Sequence, residues 1–290
     1  MIGGWGPQPV FVGLNDMQMS SIHVDAKRFH NDHVTLRSHL HPVERECERS
    51  LTGFTRHSLS EQDEVLLLDR ADRKFLLHVN VLPDVLTALQ SRFTVLTINP
   101  HCIFTYENTY FDTPDWRLYL QHHNGASNRI KYRFRRYDET DVSRVEIKEK
   151  NRFRTVKEHV PFTSSGPVTV RGIDEVLETK LYVNYRRISC WNHATGERLT
   201  LDFDVHFRRP DRRDVHRLGD VCIAELKSPN KIDASTFVRQ AGAFGLQPTG
   251  FSKYCIGVCL TGPGELKQNR FKPVLAKLEK VLGRSTYDGN

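Results

Sequence analysis

The stretch RIKYRFRRY at residues 129–137 sets Arg129, Lys131, Arg133 and Arg135 on one parity, against Ile130, Tyr132 and Phe134 on the other. Strand side chains alternate between the faces of a sheet, so this segment reads as a strand with one cationic and one apolar face. Two other segments repeat the pattern. In RVEIKEK (144–150), Arg144, Glu146, Lys148 and Lys150 alternate with Val145 and Ile147. In RLTLD (198–202), Arg198, Thr200 and Asp202 alternate with Leu199 and Leu201. If these strands are neighbours, their cations converge on a surface suited to a ligand with many negative charges.

Outward from this centre, β-branched and aromatic runs predict strands at 74–79, 103–111, 143–150, 152–160, 181–190, 197–207 and 221–227. With 129–137 these make eight, mostly antiparallel by their short connections. Helices are expected over 81–92 with Pro83 in the first turn, 116–121 capped by Asp115, 173–179, 235–246 and, at the C-terminus, 271–282 with Gly283 just past its end. Residues 251–260 are apolar but of undetermined type. Residues 1–63 open on GGWGPQP, carry six histidines and show no sustained apolar period. They read as an N-terminal extension, poorly ordered or loosely packed, ahead of a domain spanning 64–290. His30/His33 and His39/His41 are spaced for a metal but have no regular element to fix them.

Such strands have two solutions. An open sheet would leave its charged face in solvent and cover its apolar face with helices, and pattern alone favours this. A closed barrel would turn the charges inward. Arg predominates over the Thr, Ser and Lys usual on a solvated face, and Arg suits bidentate phosphate contacts.

The 290 residues are 38% hydrophobic and 27% charged, which fits a globular protein. No apolar run approaches the ~20 residues of a membrane span, and the N-terminus lacks a secretory pattern. The expected location is the cytoplasm. A net charge of +7 favours anionic partners. Tyr132 and Phe134 lie on the parity opposite the cations, which argues against stacking on nucleic acid. The six cysteines form no C-x-x-C pair, and those at 102, 190, 222 and 255 read as buried thiols. No P-loop or dinucleotide-binding glycine motif is present.

The order of these segments resembles the vacuolar transporter chaperone (VTC) domain, a family of polyphosphate polymerases within the CYTH-like triphosphate tunnel metalloenzymes. The resemblance covers about residues 68–262. It rests on DRKF (72–75), YFDT (110–113), IKYRFRRY (130–137), VEIKEK (145–150), TVKEH (155–159), VNYRR (183–187), ERLTLD (197–202), AELK (224–227) and FSKYC (251–255). It implies an α+β fold: an eight-stranded antiparallel β-barrel, the triphosphate tunnel, with helices packed outside. This moves the expectation to the closed barrel.

Carried over residue by residue, the resemblance puts catalytic and substrate-binding cations at Lys74, Arg133, Arg135, Lys148, Lys157, Arg187, Arg198 and Lys253, with Tyr185 beside them. It puts metal-binding carboxylates at Glu225 and, more weakly, Glu146, for Mn²⁺ or Mg²⁺. The implied activity is metal-dependent transfer of the ATP γ-phosphate to a growing polyphosphate chain, with a membrane-protein partner for product handling. A tunnel triphosphatase is the alternative enzyme, although the E-x-E-x-K signature of such enzymes is replaced here by DRKF. A non-catalytic polyphosphate-binding module is the other. The sequence departs from the family at His159, where a second Arg is common, and at Gly250, where eukaryotic polymerases carry Lys. It also contains no SPX-like regulatory domain.

Overall fold

A computed structural model of the chain describes residues 19–22, 41–63, 71–151, 155–161, 168–171, 177–229, 235–246 and 248–283. The chain divides into two compact units, residues 1–33 with 163–176 and residues 34–162 with 177–290. In the first, Met19–Ile22 pairs antiparallel with Val168–Arg171.

The second unit is built on eight principal strands: β1 (Ala71–His78), β2 (Ile103–Asp112), β3 (Arg129–Tyr137), β4 (Val142–Lys150), β5 (Thr155–Pro161), β6 (Glu178–Asn192), β7 (Glu197–Arg208) and β8 (Val221–Ser228). Neighbours pair antiparallel in the order β1-β8-β7-β6-β2-β3-β4-β5. The β6–β7 hairpin turns at Gly196, whose φ of 70° needs a residue without a Cβ. The expected helix at 173–179 gives way to strand at its end, since β6 starts at Glu178; residues 173–176 lie outside the described residues.

No backbone pairing joins β1 to β5 among the described residues, so the barrel is not closed by hydrogen bonds there. The sheet is nonetheless curled, because side chains from β1, β2, β3, β4, β6 and β8 line one cavity. An open sheet with its cations in bulk solvent does not describe this arrangement.

The apolar parity forms the main core. Helices α1 (Pro42–Leu51), α2 (Leu82–Leu89) and α4 (Thr236–Ala243) pack on Phe75, Leu77, Ile188, Leu199, Leu201 and Ala224. Here α3 denotes Arg117–His123, α5 Lys253–Thr261 and α6 Lys272–Val281. The expected loose extension ends earlier than residue 63. Val43, Cys47 and Leu51 recur every four residues on α1 and are buried in that core. His41 caps α1, its Nδ1 accepting from the Val43 amide at 3.3 Å. Glu44, also buried, pairs with Arg186 of β6 at 2.6 Å, which fastens α1 to the sheet.

Two helices differ from expectation. The N-cap position of α3 is Trp116, and the first-turn amides are satisfied by Asp112 rather than by Asp115. The Asp112 carboxylate accepts from the amides of Leu118 at 2.7 Å and Tyr119 at 2.8 Å, and from the Tyr254 hydroxyl at 2.5 Å. Asp115 instead accepts from the Thr113 hydroxyl. The undetermined segment 251–260 forms α5, with Ser252 as its N-cap. It does not pack on the sheet's outer face. Leu181 and Val183 share a parity with Tyr185 and Arg187, and they cluster with Cys255, Ile256 and Val258 of α5. The charged face thus becomes apolar at one end, where α5 covers it.

Gly257 marks the closest approach. A Cβ there would lie 2.5 Å from Leu181 and 2.6 Å from Phe207. Gly257→Ala is therefore expected to destabilise the fold by about 1–3 kcal/mol, as overpacking does. A urea melt reads this directly, and an unchanged midpoint would show that α5 is not seated on β6 and β7.

All six cysteines are free thiols, and Cys190, Cys222 and Cys255 are buried as expected, with Cys102 partly so. No described helix is long and apolar enough to cross a membrane.

Candidate functional site

Strand β3 delivers Lys131, Arg133 and Arg135 to the cavity because alternate residues share a face, and its neighbours supply their partners by register. Glu146 of β4 and Tyr110 of β2 stand opposite Arg133, and Asn108 of β2 opposite Arg135. Glu146 Oε2 accepts from Arg133 Nε at 2.9 Å and Nη2 at 2.5 Å, while its Oε1 accepts from Arg135 Nη1 at 3.1 Å. Arg133 also donates to the Tyr110 hydroxyl, and Arg135 to Asn108 and to the Tyr185 hydroxyl. With so many donors fixed, the two guanidinium groups are held before any ligand arrives.

A second acid organises the far wall. Asp202 of β7 stands opposite Arg187 of β6 and accepts from its Nε at 2.5 Å and Nη2 at 2.8 Å. Lys253, at the first turn of α5, donates to the same carboxylate. Tyr185 and Tyr106 stack with centroids 5.3 Å apart, and the Arg187 guanidinium lies 4.6 Å from the Tyr106 centroid. Burial pushes the Asp202 carboxyl up, but Arg187 and Lys253 outweigh it and hold it at about 2.

The third acid, Glu225 of β8, lies 3.0 Å from Lys227 and 3.8 Å from Lys74. Burial opposes its charge, yet Lys227, Lys74 and Arg187 keep the carboxyl well below the usual carboxylate range. Across the cavity, the Lys148 side chain stays exposed to solvent on one side. Desolvation on its cavity side, joined by repulsion from Lys131 and Lys74 and opposed by Glu225, lowers its ammonium to about 8. Burial likewise lowers Lys131.

These side chains surround a cavity of ≈ 180 Å³. Of the expected cations, Lys74, Arg133, Arg135, Lys148, Arg187 and Lys253 line it, together with Tyr185, Glu225 and Glu146. Arg198 is not in the lining. Its guanidinium donates to the Gln62 carbonyl, although its backbone stands opposite Lys227 on the same strand pair. The Lys157 and His159 side chains lie outside the described residues; the backbone of Lys157 pairs opposite Lys148. Gly250 has an ordinary position before α5, with open space where a Cβ would stand.

The structure adds Lys131, Lys227, Tyr110 and Ser252 to the lining. The parity of Lys131 with Arg133 and Arg135 was the available signal for the first, and Lys227 closes the AELK motif. Both oxygens of Glu146, the weaker of the two expected metal-binding carboxylates, are engaged by arginines.

Residues 69–166 match the family model of the VTC domain. No curated protein matches the chain. Two solved structures are similar at low identity. One is a candidate adenylate cyclase from Bacillus halodurans, 14% identical, covering 69% of this chain and 95% of that one with a TM-score of 0.40. The other is a candidate adenylate cyclase from Vibrio parahaemolyticus, 14% identical, covering 64% and 97% with a TM-score of 0.40.

Proposed function

We propose that the chain, whose residues 69–166 match the family model of the VTC domain, is a polyphosphate polymerase that transfers the γ-phosphate of ATP to a growing polyphosphate chain. The observation that supports this most is the cavity lining: eight Lys and Arg side chains, six of them paired with three carboxylates. Phosphoryl transfer needs little else, since it is served by positioning and by neutralising charge on the transferring group.

In this reading Arg133, Arg135, Arg187 and Lys253 hold phosphate oxygens in line. A terminal oxygen of the acceptor chain attacks the γ-phosphorus as the bond to the β–γ bridging oxygen breaks. ADP leaves, and the polymer grows by one phosphate. Glu225 is the candidate metal ligand. No group of three metal-binding side chains occurs among the described residues. Glu146 and Asp202 have both oxygens engaged by cations, whereas the Lys74 and Lys227 pairs of Glu225 both fall on Oε1. One carboxylate fits a divalent cation that arrives on the substrate's phosphates, as Mg²⁺ commonly does. Bound Mn²⁺ or Mg²⁺ would supply further charge neutralisation at the γ-phosphoryl group.

The test is incubation with ATP and Mn²⁺ followed by separation of phosphate chains on a gel. ADP with a polymer ladder is the expected result. Free phosphate without polymer would assign a tunnel triphosphatase, and unchanged ATP with tight polyphosphate binding would leave a binding module.

A further inference from the structure

The cations of the cavity are unequally compensated. Arg133 and Arg135 share Glu146, Arg187 and Lys253 share Asp202, and Lys74 and Lys227 share Glu225. Each set carries one net positive charge. Lys131 and Lys148 are different. They stand directly opposite each other in the β3–β4 register, and no ion pair holds either of them to a carboxylate among the described residues. Like charges facing each other across strands are unfavourable in the empty protein.

Lys131 is nevertheless held in place. Its Nζ donates to Ser252 Oγ at 3.0 Å, and that oxygen caps α5 by accepting from the Cys255 amide at 3.3 Å. The N-terminal turn of this nine-residue helix adds its own partial positive charge. Among the described side chains, the cavity therefore has one pole of two lysines without an ion-paired carboxylate, beside three sets of single charge.

A linear phosphate chain has the complementary pattern. An internal phosphate carries one negative charge, and a terminal phosphate about 1.5–2 near neutral pH. We infer that Lys131, anchored on Ser252 and facing Lys148, binds the terminal phosphate of the substrate, while the carboxylate-compensated sets bind internal phosphates. This rests on the phosphate-tunnel reading above and gives that site a polarity. It also makes Lys131 a residue that tells a chain end from a chain interior.

The test compares linear tripolyphosphate, which has terminal phosphates, with cyclic trimetaphosphate, which has none, by isothermal titration at fixed salt. Lys131→Met is expected to weaken tripolyphosphate binding by about tenfold or more while leaving trimetaphosphate within about twofold. Retained trimetaphosphate binding certifies that the variant is folded. Lys131→Arg keeps the charge and should keep most of the linear-over-cyclic preference. Equal losses for both ligands would make Lys131 a general cation and overturn the polarity, as would no loss for either. Wild-type protein that binds neither ligand would overturn the tunnel reading itself, a distinct outcome.

Discussion

Replacing Glu225 by Gln is expected to lower phosphoryl transfer by about a hundredfold or more while leaving ATP binding at least as tight as before. The substitution keeps the side chain's size and removes its charge. Turnover falls because a bound metal that neutralises charge on the γ-phosphoryl group would lose its protein ligand. Binding is retained because Lys74 and Lys227, which Glu225 partly neutralises, become free to pair with phosphate. Steady-state rates of ADP formation, set beside a binding titration, separate the two effects. A variant with unchanged turnover would remove Glu225 from the mechanism.

Asp202→Ala should produce the largest loss of stability. Asp202 is fully buried and is the shared counter-ion of Arg187 and Lys253. Its removal leaves two cations facing each other with nothing between them, and breaking a buried pair costs about 3–5 kcal/mol. The pH dependence follows from the lowered carboxyl. A folded-state value of about 2, below the ordinary 3.8, means that Asp202 stabilises fully above 3.8 and that this stabilisation is lost as pH falls towards 2. Denaturant melts of the wild type should therefore show a steeper acid slope across that window than the variant, which keeps only the contribution of other lowered carboxyls such as Glu225. Tripolyphosphate should restore much of the variant's stability, because the ligand supplies the missing negative charge. A loss at neutral pH no larger than that of an exposed ion pair, under about 1 kcal/mol, would contradict the placement of Asp202.

The strands and their charged parity were legible because a period of two is local: Arg133, Arg135 and Lys148 needed only alternation to be placed on one face, whereas Arg187 was reached through the family resemblance. What failed to show in the sequence depends on distant contacts. The first-turn amides of α3 are satisfied by Asp112, at the end of the preceding strand, rather than by the adjacent Asp115 that a local rule selects. The segment that becomes α5 is apolar on all sides, as buried helices are, so periodicity could not orient it against the sheet. The apolar residues that helix α1 buries are Val43, Cys47 and Leu51 along an otherwise charged stretch, and that sparse stripe was hidden among histidines and arginines. Lys131 shared the correct parity, but its importance comes from Ser252, more than a hundred residues away. Arg198 shows the converse: the right parity near the end of a strand can leave a guanidinium on a neighbouring carbonyl outside the cavity.

The central claim is that the alternating cations form one phosphate-binding wall. Titration of tripolyphosphate into wild-type protein and into Arg133→Ala, repeated at several salt concentrations, tests it most directly. A single saturable site that weakens steeply with salt, and that loses about tenfold or more in affinity on Arg133→Ala, is predicted. Affinity indifferent to Arg133, or the absence of a saturable site, would contradict it.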